Sequence, residues 1–214
     1  MAEAMTELDL VVGSMITTRP EEDREAYEEE KELYQDIQDL LREEGVTVDL
    51  LSQPGTEVWE GGIESFYDLY QLRRLAAHLE RGDDITQVLS DTSLDGEDVD
   101  PVLADIWDDE AQTKFPHLIK HQGDGGSYLP ADFPEPIWVE TEPDEGDGED
   151  GEDEEDADAV VSFGSSIRLL SELNELDQLF RDHKVPQGGY SRALDVLKMA
   201  AQQSVEHGLP IILW

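Results

Sequence analysis

The chain has 214 residues with 54 acidic and 14 basic side chains, which gives a net charge of −40. A chain of this length builds one domain or at most two, and its 38% hydrophobic content argues against a wholly disordered protein. The absence of cysteine excludes disulfides and thiolate zinc sites. Because phosphate binding requires clustered positive charge, we expect no nucleic acid among the partners.

The acidity extends along the whole chain. Residues 140–158 contain 13 acidic side chains, and the other residues still have 41 acidic against 14 basic side chains. Such a surface repels itself in dilute salt, and the repulsion weakens as the Debye length falls from about 8 Å at physiological ionic strength to about 3 Å at 1 M. The pattern predicts a halophilic, haloarchaeal protein with cations associated with its acidic surface. The alternative is an ordinary acidic protein.

No apolar stretch approaches the roughly 20 residues that a membrane span needs. The first residues also lack the basic segment of an export signal. We therefore expect a cytoplasmic protein with no membrane partner.

The first predicted elements are a strand at residues 8–12 and a long helix at about 19–44. Thr18 and Glu21 have the spacing of a capping box, and Pro20 suits the first helical turn. The apolar stripe of this helix has a period near 3.6 and consists of Ala26, Tyr27, Leu33, Tyr34, Ile37, Leu40 and Leu41. Gly45 is suited to end it.

Residues 46–50 alternate between apolar and polar side chains, which predicts a second strand. A strand, a helix and a strand in this order suggest a right-handed parallel crossover. Residues 63–81 predict a helix that is apolar around most of its circumference, and such a helix is central in a fold.

The second half predicts alternating short strands and helices. The acidic run at 140–158 has apolar strands on both sides, so we expect it to be a disordered insertion loop. The other predicted elements are a short helix around 101–107, strands at 127–129 and 160–163, a helix from about 166 to 180, a last helix ending at Gly208, and a strand at 209–214.

These elements predict one fold class. We expect a single α/β or α+β domain with a mixed sheet of about four to five strands and at least four helices. The domain spans the chain, with residues 140–158 as its insertion.

The segment 115–128 holds the best constellation for chemistry. His117 and His121 are four residues apart and would share a helical face, and Asp124 could supply an oxygen ligand or orient an imidazole. This favours a divalent metal site or an acid–base pair. Against it, Pro116 and the glycines that follow disfavour a helix across the pair, and the alternative is a structural role for both imidazoles.

Ser165 and Ser166 lie where a strand passes into a helix. Exposed backbone donors there could bind an anion, and the alternative is that the serines cap the helix. Arg73 and Arg74 have no acidic residue four positions away, so we expect them to pair with carboxylates of another element, with anion binding as the alternative.

Three segments carry a resemblance to known proteins: 126–137, 164–173 and 208–213. They resemble small bacterial and archaeal proteins of unknown function, and the resemblance covers about the last 100 residues. It implies no activity, cofactor or catalytic residue. Together with the charge, it identifies the chain as a haloarchaeal member of such an uncharacterised family.

Two functional hypotheses remain. The first is a non-catalytic interaction or regulatory module with a protein partner and no cofactor, because the phosphate-loop, nucleophile-elbow and EF-hand spacings are absent from the sequence. The second is a metal-assisted hydrolase or small-ligand enzyme centred on His117, His121 and Asp124. A pocket joining these three residues would favour the enzyme.

Overall fold

A mixed six-stranded sheet organises the residues that the computed structural model describes, which are 6–90, 99–123, 125–141 and 159–214. The strands in these ranges are β1 (Leu8–Gly13), β2 (Glu57–Ile63), β3 (Ser127–Leu129), β4 (Ile137–Thr141), β5 (Ala159–Ser165) and β6 (Ile211–Leu213). The helices are α1 (Arg24–Glu43), α2 (Phe66–Arg81), α3 (Ile85–Ser90), α4 (Pro101–Trp107), α5 (Pro116–Ile119), α6 (Ser166–Asp182) and α7 (Gly189–His207). The predicted fold class is confirmed as α+β.

The order of the strands in the sheet is β2-β1-β6-β3-β5-β4. All neighbouring pairs are antiparallel except β3 and β5, which are parallel. The C-terminal strand β6 therefore lies between β1 and β3, inside the sheet. The parallel crossover predicted for the first strand, helix and strand is wrong, because residues 46–50 form no strand and the strand that follows α1, β2, pairs antiparallel with β1.

The strand predicted at residues 46–50 is a loop in the structure. Val46 and Leu50 are buried, and the alternation arises because this loop packs over the end of α1. The backbone N–H of Val46 donates to the carbonyl of Leu41 at 2.8 Å, and that of Leu50 donates to Oε1 of Gln38 at 2.9 Å. An alternation of apolar and polar side chains indicates that every second residue is buried. A loop packed against a helix can produce this pattern as well as a strand can.

Helix α1 begins later than predicted. Its N-cap is Asp23, whose carboxylate accepts hydrogen bonds from the backbone N–H groups of Glu25 and Ala26. The capping box at Thr18 and Glu21 does not form, because Thr18 binds a side chain from inside the helix instead. An aspartate cap satisfies orphan N–H groups and suits the helix dipole.

Two apolar layers cover the sheet, and the alternation along β6 separates them. Ile211 and Leu213 belong to a large cluster with α2, α6 and α7, whereas Ile212 packs against a smaller cluster. The smaller cluster contains Ile37 and Leu41 of α1. Helix α1 thus packs on the opposite face of the sheet from the other long helices.

Helix α2 is central, as predicted. Ser65 caps its start, and Gly82, with a φ of 78°, ends it in the left-handed conformation that glycine tolerates.

The buried Arg74 of α2 donates from Nε to the buried carboxylate of Asp100 at 2.7 Å, which confirms the pairing expected for this arginine. Burial raises the pKa of Asp100, but hydrogen bonds from His78 and Arg74 outweigh it and hold the pKa below its usual range.

Two sequence predictions fall on parts of the chain outside the described residues. These are the acidic insertion, of which residues 142–158 are not described, and the position of Asp124. The strands on either side of the acidic segment, β4 and β5, form an antiparallel pair. Within the described ranges no helix is long and apolar enough to cross a membrane.

Replacing Asp100 with Asn should destabilise the fold by about 3 kcal/mol, because it removes the carboxylate that a buried arginine contacts. Asp100 also caps α4 through the N–H of Val102 at 2.9 Å. The measurement is urea unfolding in high salt, with Asp105→Asn, an exposed position on the same helix, as control. Equal losses in the two variants would contradict the structural importance of this pair.

Candidate functional site

Helix α1 carries a continuous row of exposed carboxylates. The row, called the acidic row below, consists of Glu25, Glu29, Glu32, Asp36, Asp39 and Glu43. At 100° per residue these positions fall within a sector of about 80° on the helix surface. The net charge of the chain does not identify this row, because acidic residues are frequent along the whole sequence. The signal in the sequence is the spacing of four, three, four, three and four residues, which places carboxylates on one helical face.

The cations of α1 lie on a different side of the helix. Arg24, Lys31 and Arg42 share a narrow sector about 100° from the centre of the acidic row. Lys31 lies near Glu28 at 3.6 Å, and Arg42 contacts Asp39 at the edge of the row. The middle of the acidic row is therefore uninterrupted by positive charge.

A buried side of α1 holds the acidic row in place. Ile37 and Leu41 pack into the smaller apolar cluster, and each such burial contributes about 1.5–3 kcal/mol. Glu30 adds a polar attachment, since its carboxylate accepts four hydrogen bonds of 2.7–3.1 Å from the backbone N–H and hydroxyl groups of Thr17 and Thr18. Burial raises the pKa of Glu30, but these hydrogen bonds outweigh it and lower the pKa.

Two leucines of the predicted apolar stripe are exposed. Leu33 is 51% and Leu40 is 42% exposed, whereas Ile37 and Leu41 are buried. On the helix surface the exposed leucines lie between the buried side and the acidic row. We call them the leucine pair. They are seven residues apart, about 10 Å along the helix axis.

Elsewhere on the described surface, many cations are also tied to carboxylates. The pairs are Lys114 with Glu175, Lys120 with Asp109 and Glu135, Arg168 with Asp132, Arg181 and Lys198 with Asp177, and Arg192 with Glu64. The exposed pairs among them, such as Arg168 with Asp132 and Arg192 with Glu64, contribute about 0–1 kcal/mol to stability. These pairs also shape the electrostatic potential of the surface. They disperse the few positive charges among an excess of carboxylates, so that no large positive patch forms on the described surface.

The predicted histidine site is buried inside the fold. Nδ1 of His117 accepts a hydrogen bond from the backbone N–H of Ser165, and its Nε2 donates to the carbonyl of Phe133, both at 3.0 Å. The nitrogens of His121 lie 2.5 Å and 3.2 Å from the carbonyls of Gln122 and Ser127. Both rings therefore link backbone segments of the core.

Burial favours the neutral form of both imidazoles, and a neutral His121 can donate to only one of its two carbonyls. Burial lowers the pKa of His117 to about 4 and, with help from the nearby Arg73, that of His121 to about 3. In the described part of the chain no group of three or more His, Asp or Glu residues could hold a metal ion. Asp124 lies outside that part, so the site formed by the three residues stays a prediction.

The serines predicted as anion ligands are fully buried. Oγ of Ser165 caps α6 by accepting from the N–H of Arg168 at 3.1 Å, and it donates to the carbonyl of Ala131. Ser166 donates to the carbonyl of Leu129 and accepts from Ser204. Their hydroxyls are engaged within the protein, which agrees with the capping alternative.

The buried carboxylate that the sequence did not reveal is Glu172. It accepts hydrogen bonds from the backbone N–H groups of His117 and Leu118 at 3.1 and 2.9 Å, and so caps the short helix α5 from α6. Burial raises the pKa of Glu172 to about 8, although the two N–H groups act in the opposite direction. No local motif marks this residue, since its partners are more than 50 positions away in the chain.

Comparison with known proteins identifies the family. The model of the family described as Putative DNA-mimic protein matches residues 6–213, and the chain belongs to this family. No curated protein and no solved structure shows significant similarity to the chain.

The family overturns two expectations. The family is described as a putative DNA mimic, which overturns the unspecified interaction or regulatory module and gives no support to the metal-assisted enzyme centred on His117, His121 and Asp124. The partner expectation, which named an unspecified protein and cations on the acidic surface and excluded nucleic acid, is also corrected, because the family description points to proteins that bind DNA and gives no support to the cations. The error arose from treating negative charge only as a barrier to binding DNA.

Stability should depend on pH through Glu172 and the histidines, with opposite signs. The folded state retains the Glu172 proton up to about pH 8, whereas the unfolded chain releases it near 4.5, so its contribution is lost as pH rises through this interval. The buried histidines stay neutral, whereas the unfolded chain protonates near 6.5, so their contribution is lost as pH falls below 6.5.

Between pH 6.5 and 8 the Glu172 effect therefore acts without these histidines, and unfolding should become easier by up to about 1.4 kcal/mol per pH unit. Glu172→Gln should remove this slope and cost about 1 kcal/mol for a lost hydrogen bond. The exposed Glu175→Gln on the same helix is the control. Urea unfolding at several pH values measures both, and an unchanged slope in Glu172→Gln would disprove the assignment.

Proposed function

We propose, from the chain's membership of the DNA-mimic family, that it occupies the DNA-binding surface of a protein partner. The acidic row of α1 takes the place of a line of DNA phosphates in this proposal. The partner is a protein that binds duplex DNA through lysine and arginine side chains. Binding such a protein would withhold it from DNA.

The charge spacing along α1 is the observation that carries the proposal. The acidic row has six carboxylates over 18 residue steps of the helix, which amounts to about one carboxylate per 5 Å of a length of about 27 Å. A strand of B-DNA has one phosphate per 3.4 Å of axis, so about eight phosphates occupy the same length. A basic surface that fits DNA phosphates therefore meets, on the acidic row, about two thirds of the linear charge density of one DNA strand.

The separation of charges on α1 supports the same proposal. Arg24, Lys31 and Arg42 lie away from the centre of the acidic row, so an approaching basic surface meets carboxylates first. Complementary charge of this kind accelerates association and orients the partners. The rigid attachment through Ile37, Leu41 and Glu30 keeps the row in one orientation.

We also propose that the chain is a halophilic protein that works in a cytoplasm rich in salt. The support is the charge of −40, of which the acidic segment at 140–158 accounts for only 13 carboxylates. The acidic residues then have two roles, since they keep the surface hydrated in concentrated salt and imitate phosphates on one helix. Screening at high salt weakens the second role, because the Debye length is then about 3 Å.

Displacement of proteins from DNA tests the mimicry. Duplex DNA-cellulose is loaded with DNA-binding proteins of the source organism, and the protein released by increasing concentrations of the chain is measured. We expect release by the parent chain. A variant that neutralises four positions of the acidic row should need about tenfold more protein for half release, because it removes complementary charge. The four changes are Glu25→Gln, Glu29→Gln, Glu32→Gln and Asp36→Asn.

A second variant with the same net charge is the control for this experiment. It neutralises four exposed carboxylates on other elements, by Glu57→Gln, Glu60→Gln, Asp105→Asn and Glu206→Gln. This control should release protein as the parent does. Equal weakening in the two variants would show that total charge, and not the acidic row, is responsible. No release by the parent would refute the proposed function.

Folding should depend on salt if the halophilic proposal holds. The thermal midpoint measured by circular dichroism should rise between about 0.1 M and about 2 M KCl, because salt screens repulsion among the carboxylates. The variant with four neutral positions in the acidic row should show a smaller rise. Equal midpoints for the parent at the two salt concentrations would contradict the proposal.

A further inference from the structure

We infer that the leucine pair, Leu33 and Leu40, is an apolar contact within the same partner-binding surface, so that α1 offers the DNA-binding protein an anchor that does not depend on salt. This inference rests on the proposed function and adds to it a second kind of contact. The occupant is the basic DNA-binding surface itself, at a place where it carries apolar side chains among its cations.

The exposure of the leucine pair is the first observation. Both side chains are on the same helix as two buried apolar residues, yet they remain 51% and 42% exposed. An exposed leucine by itself is ordinary. Here the two are one heptad apart and lie beside the acidic row, so they form a short apolar ridge parallel to a line of carboxylates.

Charge decides between the possible occupants of this ridge. A second copy of the chain would bring two acidic rows together, and like charges in an interface oppose association. A partner with a basic surface instead pairs its cations with the acidic row while its apolar side chains cover Leu33 and Leu40. The ridge therefore suits a basic partner better than a dimer.

DNA-binding surfaces have the required chemistry. Proteins that read the major groove place apolar groups against the methyl group of thymine, and they do so beside the arginines and lysines that contact phosphates and bases. The leucine pair extends over about 10 Å of the helix axis, which corresponds to about three base pairs. An apolar ridge next to a line of negative charge thus presents a combination that a major-groove reader already contacts.

The two kinds of contact differ in their response to salt. Ion pairing with a polyanion weakens as salt concentration rises, and the slope of log K against log salt reflects the number of charges involved. Apolar burial persists as salt increases. Loss of the leucines should therefore lower the affinity at every salt concentration and leave the slope unchanged, whereas neutral substitutions in the acidic row should reduce the slope.

The experiment uses the same DNA-cellulose, loaded with the same protein fraction, at several KCl concentrations between about 0.15 and about 1 M. The test variant is Leu33→Ser with Leu40→Ser. It should need about tenfold more protein per leucine for half release, which is the effect of about 1.4 kcal/mol of lost apolar burial at each position. Its slope against salt should equal that of the parent.

The matched control is Met199→Ser with Val205→Ser on α7, where the side chains are 46% and 42% exposed. This variant should behave as the parent does. Circular dichroism verifies that all the variants fold with similar midpoints, as expected for changes at exposed positions.

Three outcomes would overturn the inference, and they are distinguishable. If the leucine variant releases protein as the parent does, while the acidic-row variant is weakened, the ridge has no part in binding and the proposed function stands. If the parent releases nothing, both proposals fail. If sedimentation shows that the parent is a dimer and the leucine variant a monomer, a second copy covers the ridge.

Discussion

The attachment of α1 along one narrow side is the constraint on which the proposed surface depends. Ile37 and Leu41 enter the smaller apolar cluster, and Glu30 binds the segment that follows β1. Because these contacts use one side of the helix, most of its circumference faces solvent. A helix packed on two sides would have had to bury part of the acidic row, and buried unpaired carboxylates are costly.

The same carboxylates satisfy two physical demands that are usually considered separately. A strongly acidic surface keeps a protein hydrated and soluble, and the field of aligned carboxylates attracts a basic partner. These demands conflict in concentrated salt, because screening that relieves self-repulsion also weakens attraction to the partner. In the inferred complex the leucine pair supplies a contact that concentrated salt does not weaken, since apolar burial is not screened.

The polar core shows why familiar residue types did not identify the site. His117, Ser165 and Glu172 have the chemistry of catalytic groups. Each of them forms its hydrogen bonds with backbone groups of α5, α6 and the adjacent segments. Such a network is costly if left incomplete and is stabilising when every member is satisfied. In this protein the network joins the short helix α5 to α6 and to the end of β5.

The sequence by itself determined the kinds of elements, their order in much of the chain and the excess of negative charge. Helix caps and periods report local preferences, so α2, α4, α6, α7 and the C-terminal strand could be located from residues near in the chain. The spacing of the acidic row was equally present in the sequence. Its significance was not, because periodicity shows which residues share a face and does not show which face a neighbour covers.

Only the tertiary structure decided that Leu33 and Leu40 stay exposed while Ile37 and Leu41 are buried, since the four belong to one apolar stripe. It also decided that residues 46–50 form a packed loop, that β1 pairs antiparallel with β2, and that the histidines bind carbonyls such as that of Phe133. These features arise from groups far apart in the chain. Their burial and pairing depend on how the elements meet, which local sequence patterns do not specify.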